Sequence, residues 1–144
     1  MPNLINELLG EVVKFQQINV ETVLAAGAYP ASGSYIDVSG YSRFGFIVIT
    51  GTIAHGQTWQ VQQATANNGT LKDVTGAVKA VGSTGDNLNY IIEVSTAELD
   101  INNGYKFVTL LNTGGSTGDY SAILFFGIGK RVPVTNDSLT ALVG

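Results

Sequence analysis

The chain has 144 residues, of which 44% are hydrophobic and 12% are charged, with no cysteine and a net charge of -4 at pH 7. This length fits one folded domain, and the composition excludes intrinsic disorder, disulfides, thiolate metal sites and thiol catalysis. With 7 basic residues and no basic cluster, the chain is not expected to bind nucleic acid, because that affinity depends on neutralised phosphates. A few charges on an apolar-rich chain leave weakly polar surface, which favours an interface.

Residues 3–15 carry a helical pattern, in contrast to the rest of the chain. Leu4, Leu8 and Val12 stand at i, i+4 and i+8, and the apolar residues beside them widen this row into one stripe. A helix this short is marginal alone and needs a surface to lie on. It lacks the positively charged region that begins a signal peptide. We predict an N-terminal helix or arm over residues 1–18, which covers one open end of the domain or docks on a neighbouring subunit.

From Gln16 onward the pattern changes to period-2 alternation and short apolar runs, separated by Gly, Asn, Ser and Asp. Strands are predicted at 20–24, 35–38, 44–52, 59–63, 71–81, 88–94, 105–111 and 120–128, with a helical turn at 97–103. Seven to nine short strands with tight turns and no long helix between them favour an all-β fold. We predict an antiparallel β-sandwich, jelly-roll-like or Greek key, over residues 19–135, followed by a tail at 136–144.

The longest apolar run lies in residues 35–51, where Ser39 and Gly40 separate two strands. The second strand is apolar on both faces and too short for a transmembrane helix, so we expect a central strand that is covered on both sides. Alternation along the strands predicts the following core: Phe44, Phe46, Val48, Trp59, Val61, Ile92, Val94, Phe107, Leu124 and Phe126.

The sequence shows no reaction centre. His55 lies in a Gly-flanked turn with no neighbouring nucleophile or ligand, and we interpret it as a solvated turn residue. The acidic residues are dispersed and do not form a calcium-binding loop, and a pair of glycosidase carboxylates is disfavoured. The Gly-rich loops at 82–85 and 114–118 lack the Lys of a phosphate-binding loop. We therefore predict no catalytic, cofactor-binding or metal-binding residues, and no enzymatic activity.

The last residues, 136–144, are apolar and uncharged at their end, which is unusual for a solvated tail. Either they return as an edge strand or they lie on a partner. Together with the N-terminal stripe they supply the predicted interface residues: Leu4, Leu8, Val12, Leu139 and Leu142.

Several short motifs recur in the order that a known family shows. They comprise a D-x-S-G-Y-x-R turn that leads into an apolar strand, a hairpin with Gln, Gly and Asp at fixed places, an E-V pair before an aromatic strand, and a closing R-x-P-V. The residues are Asp37, Ser39, Gly40, Tyr41, Arg43, Gln62, Gly69, Asp73, Gly76, Glu93, Val94, Tyr105, Phe107, Arg131, Pro133 and Val134. Over residues 20–135 the chain thus resembles the capsid decoration (cement, or head auxiliary) proteins of tailed bacteriophages.

The resemblance implies a non-enzymatic β-sandwich that binds as a homotrimer to the outside of the capsid and stabilises the lattice of the major capsid protein. It implies synthesis in the host cytoplasm, residence on the virion exterior, and no membrane, nucleic-acid or small-molecule partner. Two alternatives remain open from the residues alone. One is a carbohydrate- or receptor-binding module of a phage fibre, in which Trp59 beside Gln60 and Gln62 would stack on a sugar, although a lone strand Trp is more often core. The other is a neck or tail component of the virion.

Overall fold

The computed structural model describes residues 13–23 and 25–129, and in these the protein is all-β. The strands are β1 (Val13–Val23), β2 (Gly27–Tyr29), β3 (Ile36–Asp37), β4 (Tyr41–Thr50), β5 (Gln57–Ala64), β6 (Lys72–Val81), β7 (Asn89–Ser95), β8 (Phe107–Thr113) and β9 (Tyr120–Gly129). Two 3-10 turns, Thr96–Glu98 and Ile101–Asn103, occupy the predicted helical turn. The helix predicted over residues 3–15 is wrong for its last three residues, which begin β1, and the remainder of it lies outside the described residues.

The strands form two antiparallel sheets. Sheet A has the order β1-β9-β4-β7, and sheet B has the order β2-β8-β5-β6, with β3 also pairing with β8. Residues 13–18, which the sequence assigned to the N-terminal arm, belong to sheet A. The prediction of an all-β antiparallel sandwich is confirmed.

The core lies between the sheets, as the alternation along the central strands requires. The ring of Phe125 stands at its centre, with ring centroids 5.9 Å from Tyr41, 6.3 Å from Phe44 and 5.6 Å from Phe46. Seven of the predicted core residues are buried: Phe44, Phe46, Val48, Trp59, Val61, Ile92 and Val94.

The predicted inward faces of β8 and β9 are wrong. Phe107, Leu124 and Phe126 point away from the core and are half-buried, whereas Val108, Leu110, Ile123 and Phe125 are buried. Both faces of these two strands are apolar, so alternation alone does not say which face turns inward. Pairing decides it, because directly opposite residues share a face. Phe125 is opposite Phe46, and Leu110 is opposite Val61.

β4 is central in sheet A, between β9 and β7, as predicted. The sequence predicted that β4 is covered on both sides. Among the described residues it is covered on its inner side only. Phe44, Phe46 and Val48 are fully buried on the inner face, but Ile49 on the outer face is 47% exposed. On the outer face of sheet A, the described residues therefore leave apolar side chains of β4 partly exposed to solvent.

A candidate interaction face on sheet A

The outer face of sheet A is apolar across three adjacent strands. We define it by Ile47 and Ile49 of β4, Ile91 of β7, and Ala122, Leu124 and Phe126 of β9. Leu124 is directly opposite Ile47, and Ile47 is directly opposite Ile91, so three aliphatic side chains form one continuous row across the sheet. The sequence analysis did not single out this row. The signal for it was the apolar character of β4 on both faces.

Ile91 is 64% exposed and Ile49 is 47% exposed, while Ile47, Leu124 and Phe126 are half-buried. A solvated outer sheet face normally carries polar residues that alternate with inward apolar ones. Moving one exposed Ile side chain fully out of water is worth about 1.5–3 kcal/mol. Burial of this face against another protein surface is consequently favourable.

The ring of Phe126 lies on this face beside Gly45. A Cβ built on Gly45, which is opposite Phe126, would lie 2.6 Å from Cζ of the Phe126 ring. The ring therefore lies over Gly45 and extends from β9 across to β4. Because Gly45 has no side chain, it leaves room for this ring on the outside of the sheet.

Polar features bound the face at both ends. At one end Arg43 Nε donates to Glu93 Oε1 at 2.7 Å, and both side chains are about half exposed. At the other end a hollow of about 290 Å³ is lined by Ile49, Thr50, Gly51, Asn87, Asn89 and Ala122. An apolar centre with a polar rim is the usual anatomy of a protein interface.

Both chain ends leave the sandwich beside this face. Val13 is opposite Ile128, and Tyr41 is opposite Gly129, so the start of β1 and the end of β9 lie at one end of sheet A. The predicted interface residues Leu4, Leu8, Val12, Leu139 and Leu142 lie outside the described residues. Their attachment points, however, are adjacent, and both adjoin the end marked by Arg43 and Glu93.

The residue considered for sugar stacking on β5 is not accessible to a ligand. Trp59 is fully buried, as the core interpretation predicted. Gln60 Nε2 donates to the carbonyls of Val61 and Val74 at 2.8 Å and 2.9 Å. Gln62 Nε2 donates to Asp73 Oδ1 at 2.8 Å. These glutamines join β5 to β6, which accounts for polar residues on a strand of this sheet.

His55 has a partner that the sequence did not reveal, because Asp119 is 64 residues away. Asp119 Oδ1 accepts from the backbone N–H groups of Ala54 at 2.6 Å and His55 at 3.1 Å. Its Oδ2 accepts from the Ser116 N–H at 2.9 Å and lies 3.1 Å from His55 Nδ1. The side chain of Asp119 is fully buried, whereas that of His55 is half exposed.

This carboxylate holds two loops together. Burial alone would raise the pKa of Asp119, but the hydrogen bonds from the backbone of Ala54, Ser116 and His55 and from the His55 ring outweigh burial and lower that pKa. Both oxygens are engaged by donors within the protein. The arrangement therefore acts as a clasp between the β4–β5 and β8–β9 loops. His55 is an exposed residue of a turn, as predicted, and the structure adds Asp119 as the partner of its ring.

Several residues of these motifs meet in pairs in the fold. Arg43 pairs with Glu93, and Gln62 pairs with Asp73. Asp37 Oδ1 accepts from the backbone N–H of Ser39 at 2.9 Å, which closes the predicted turn before β4. These motif residues thus stabilise turns and strand pairing, and the apolar face is a separate feature.

An apolar pocket of about 100 Å³ opens where the 3-10 turns meet β3. It is lined by Val38, Ser39, Thr96, Leu99, Ile101, Tyr105 and Lys106. Thr96 Oγ1 donates to the backbone carbonyls of Tyr41 and Ser42, at 2.7 Å and 2.6 Å, and so is already engaged. The pocket has room for about one aliphatic side chain and offers little polar chemistry.

Within residues 13–23 and 25–129, no group of three or more His, Cys, Asp or Glu side chains is placed to hold a metal ion. Among the helices that the structure describes, none has the length and apolarity needed to cross a membrane. Comparisons with protein-family models, with curated proteins and with solved structures gave no match.

Proposed function

We propose that this protein is a non-enzymatic structural component of a tailed-phage virion, a decoration protein that binds the outside of the capsid as a homotrimer. In this proposal it stabilises the lattice of the major capsid protein by bridging adjacent capsomers. The observation that carries the proposal is the apolar outer face of sheet A. A sandwich that buries its core between the sheets, yet leaves Ile91 64% exposed on an outer sheet face, has surface that is favourable to bury in an assembly.

The position of the chain ends supports the same role. The 12 residues before β1 and the 15 residues after β9 both leave from the end of sheet A at which Val13 is opposite Ile128. We expect the apolar residues of these two segments to add to the contact surface of the face, which suits a protein that binds at a junction between several subunits. The motif resemblance is the reason to propose a phage capsid as the partner. The apolar face is the surface that we propose binds it.

The test is addition of the purified protein to matching capsids that lack it, after its mass in solution has been measured. We expect a trimer, saturable binding and a rise in the temperature at which the capsids disrupt. Failure to bind, or binding with no gain in capsid stability, would overturn the proposal. A ring larger than a trimer that binds at the portal vertex would instead favour a neck or tail component.

A matched pair of variants connects the result to the face. Ile91→Asp places a charge in the apolar row of sheet A. Val78→Asp places the same charge on β6 of sheet B, at a Val that is 49% exposed. We expect the first variant to lose at least tenfold in capsid affinity, and the second to bind as the parent does. Equal binding by both variants would exclude the outer face of sheet A as the capsid contact or the trimer contact.

A further inference from the structure

We infer that strand β7 pairs edge to edge with β7 of a second copy of this chain, in an antiparallel arrangement centred on Ile91. The inference goes beyond the proposed function and does not depend on it. It concerns the edge of sheet A, whereas the candidate interaction face is the outer surface of that sheet.

β7 is the last strand of sheet A, and among the described strands it pairs only with β4. The backbone N–H of Thr50 donates to the carbonyl of Leu88 at 2.9 Å, which fixes the phase of hydrogen bonding along this pair. In an antiparallel pair, residues that bond to the neighbouring strand alternate with residues that do not. Asn89, Ile91 and Glu93 therefore turn their N–H and C=O groups away from β4.

The end of β7 agrees with this phase. Ser95 follows in the same alternation, and its N–H donates to Glu98 Oε2 at 3.2 Å instead of to β4. Asn89, Ile91 and Glu93 are exposed, and their outward backbone groups have no partner among the described residues. Three residues of this edge are consequently open to pairing with another strand.

The other sheet edges carry features that oppose such pairing. The register of β6 shifts around Gly76, whose φ is 79°, and β6 carries Lys72 and Lys79. β2 and β3 have only three and two residues, and the register of β1 with β9 is irregular. Bulges, lysines and short strands all protect an edge. β7, by contrast, keeps an unbroken register with β4 over Asn89–Ser95 and contains no Lys or Pro.

β7 is complementary to itself when Ile91 lies at the centre. Ile91 is then opposite Ile91 of the second copy, and Asn89 is opposite Glu93 of that copy. Each facing pair exchanges two backbone hydrogen bonds, about six in all, so every outward group of the three residues is paired. A shift of two residues in one direction brings in Ser95, whose N–H is already engaged. A shift in the other direction places Glu93 opposite Asn87, which has a positive φ of 56° and lies outside the strand.

The side chains favour the same register. Ile91 is 64% exposed, and in this arrangement it packs against an identical aliphatic side chain. The Asn89 amide faces the Glu93 carboxylate of the second copy, so no like charges are directly opposite. Glu93 also keeps Arg43 as its partner within the chain, at 2.7 Å.

The contact has two-fold symmetry and closes after two copies. It joins two four-stranded sheets into one, and their apolar rows of Leu124, Ile47 and Ile91 become continuous. In the proposed homotrimer, a two-fold contact of this kind links copies that belong to different trimers.

The absence of cysteine from the full sequence allows a direct test. The full-length Ile91→Cys variant is treated with oxidised glutathione, and covalent dimer is measured on a non-reducing gel. The two facing Cα atoms would lie about 5.5 Å apart, within the range of a disulfide. Asn89→Cys is the matched control on the same face of β7, because its two copies would lie about 14 Å apart. We expect at least tenfold more dimer from Ile91→Cys.

A mixture of Asn89→Cys and Glu93→Cys proteins tests the register. We expect a mixed disulfide between the two variants, identified by mass, at a yield at least tenfold above the dimer that either forms alone. Emission from the buried Trp59 reports whether each variant is folded.

Each outcome decides the inference. Dimer specific to Ile91→Cys and to the mixture supports it, whereas equal yields from Ile91→Cys and Asn89→Cys in folded protein would overturn it. Absence of the mixed disulfide would overturn the antiparallel register.

Amide hydrogen exchange in the parent protein distinguishes a second copy from cover by the chain itself. We expect exchange at Ile91 and Glu93 to slow as the protein concentration rises. Slow exchange that is independent of concentration would overturn the assignment to a second copy. Capsid binding is measured separately, so failure of the decoration role gives a different result.

Discussion

The ring of Phe126 lies across Gly45, so closely that a Cβ added to Gly45 would stand 2.6 Å from the ring and 2.5 Å from the carbonyl oxygen of Ile92. The glycine thus makes room for an aromatic ring on the outside of the sheet. This contact couples the position of the Phe126 ring on the outer face of sheet A to the pairing of β4 with β9 and β7.

Gly45→Ala is expected to destabilise the fold by about 1–3 kcal/mol, because one contact is with backbone that cannot move without disturbing β7. Thermal or denaturant unfolding measures this. Gly82→Ala is the control, since a Cβ there meets no atom within 4 Å. Equal stability of the two variants would show that β4, β7 and β9 are not packed as described.

Phe125→Ala and Phe126→Ala distinguish the two faces of β9. Phe125 is fully buried, so its truncation should cost about 3–5 kcal/mol in unfolding free energy. Phe126 is half-buried on the outer face, and its truncation should cost less than half as much. Denaturant midpoints of both variants supply the comparison. A larger loss for Phe126 would restore the inward face expected from the sequence.

Asp119→Asn is expected to weaken the clasp between the two loops by about 1–3 kcal/mol at pH 7, because an amide is a neutral acceptor and its NH2 group replaces one of the two oxygens that accept hydrogen bonds. His55→Ala removes only one of the four contacts of that carboxylate and should cost less. Chemical unfolding at pH 7 checks the order. A greater loss for His55→Ala would mean that the imidazole, and not the buried carboxylate, holds the loops.

The same variant has a predicted dependence on pH. The pKa of Asp119 is lowered from 3.8 in the folded protein, so its contribution to stability is complete above that value. This contribution is lost as the pH falls from about 4 through the lowered pKa, because protonation of the Asp119 carboxylate removes the charge that its hydrogen bonds stabilise. The stability difference between the parent and Asp119→Asn should therefore shrink as the pH falls below about 4. A difference that grows on acidification would contradict the lowered pKa.

Ser121→Ala should leave stability unchanged or raise it by about 0.5–1 kcal/mol. The Ser121 hydroxyl is fully buried, and it has no hydrogen-bond partner among the described residues, so its removal relieves a desolvation cost. The backbone carbonyl of Ser121 accepts from Asn19 Nδ2 at 3.0 Å and is unaffected by the change. A melting temperature more than a few degrees lower would indicate that the hydroxyl is engaged in solution.

Sequence reasoning could identify only one part of the proposed contact surface. The stripe of Leu4, Leu8 and Val12 follows from helical periodicity, which needs no knowledge of the fold. The row of Leu124, Ile47 and Ile91 on sheet A is spread over 78 residues of sequence and exists only through strand pairing. Likewise, nothing near His55 in the sequence indicates the carboxylate of Asp119, because the two loops meet only when the sheets stack.

Local pattern was enough to determine that this chain is all-β, where most strands lie, and which residues share a face on each strand. Those properties depend on alternation with period 2 and on turn residues, both of which are local. Only the tertiary structure decided which face of β8 and β9 turns inward, and hence that Phe125 and not Phe126 fills the core. Where both faces of a strand are apolar, burying either face removes apolar surface from water. The sequence of that strand alone therefore does not determine which face turns inward. The register with β4 and β5 determines the inward face, because opposite residues must point to the same side of the sheet.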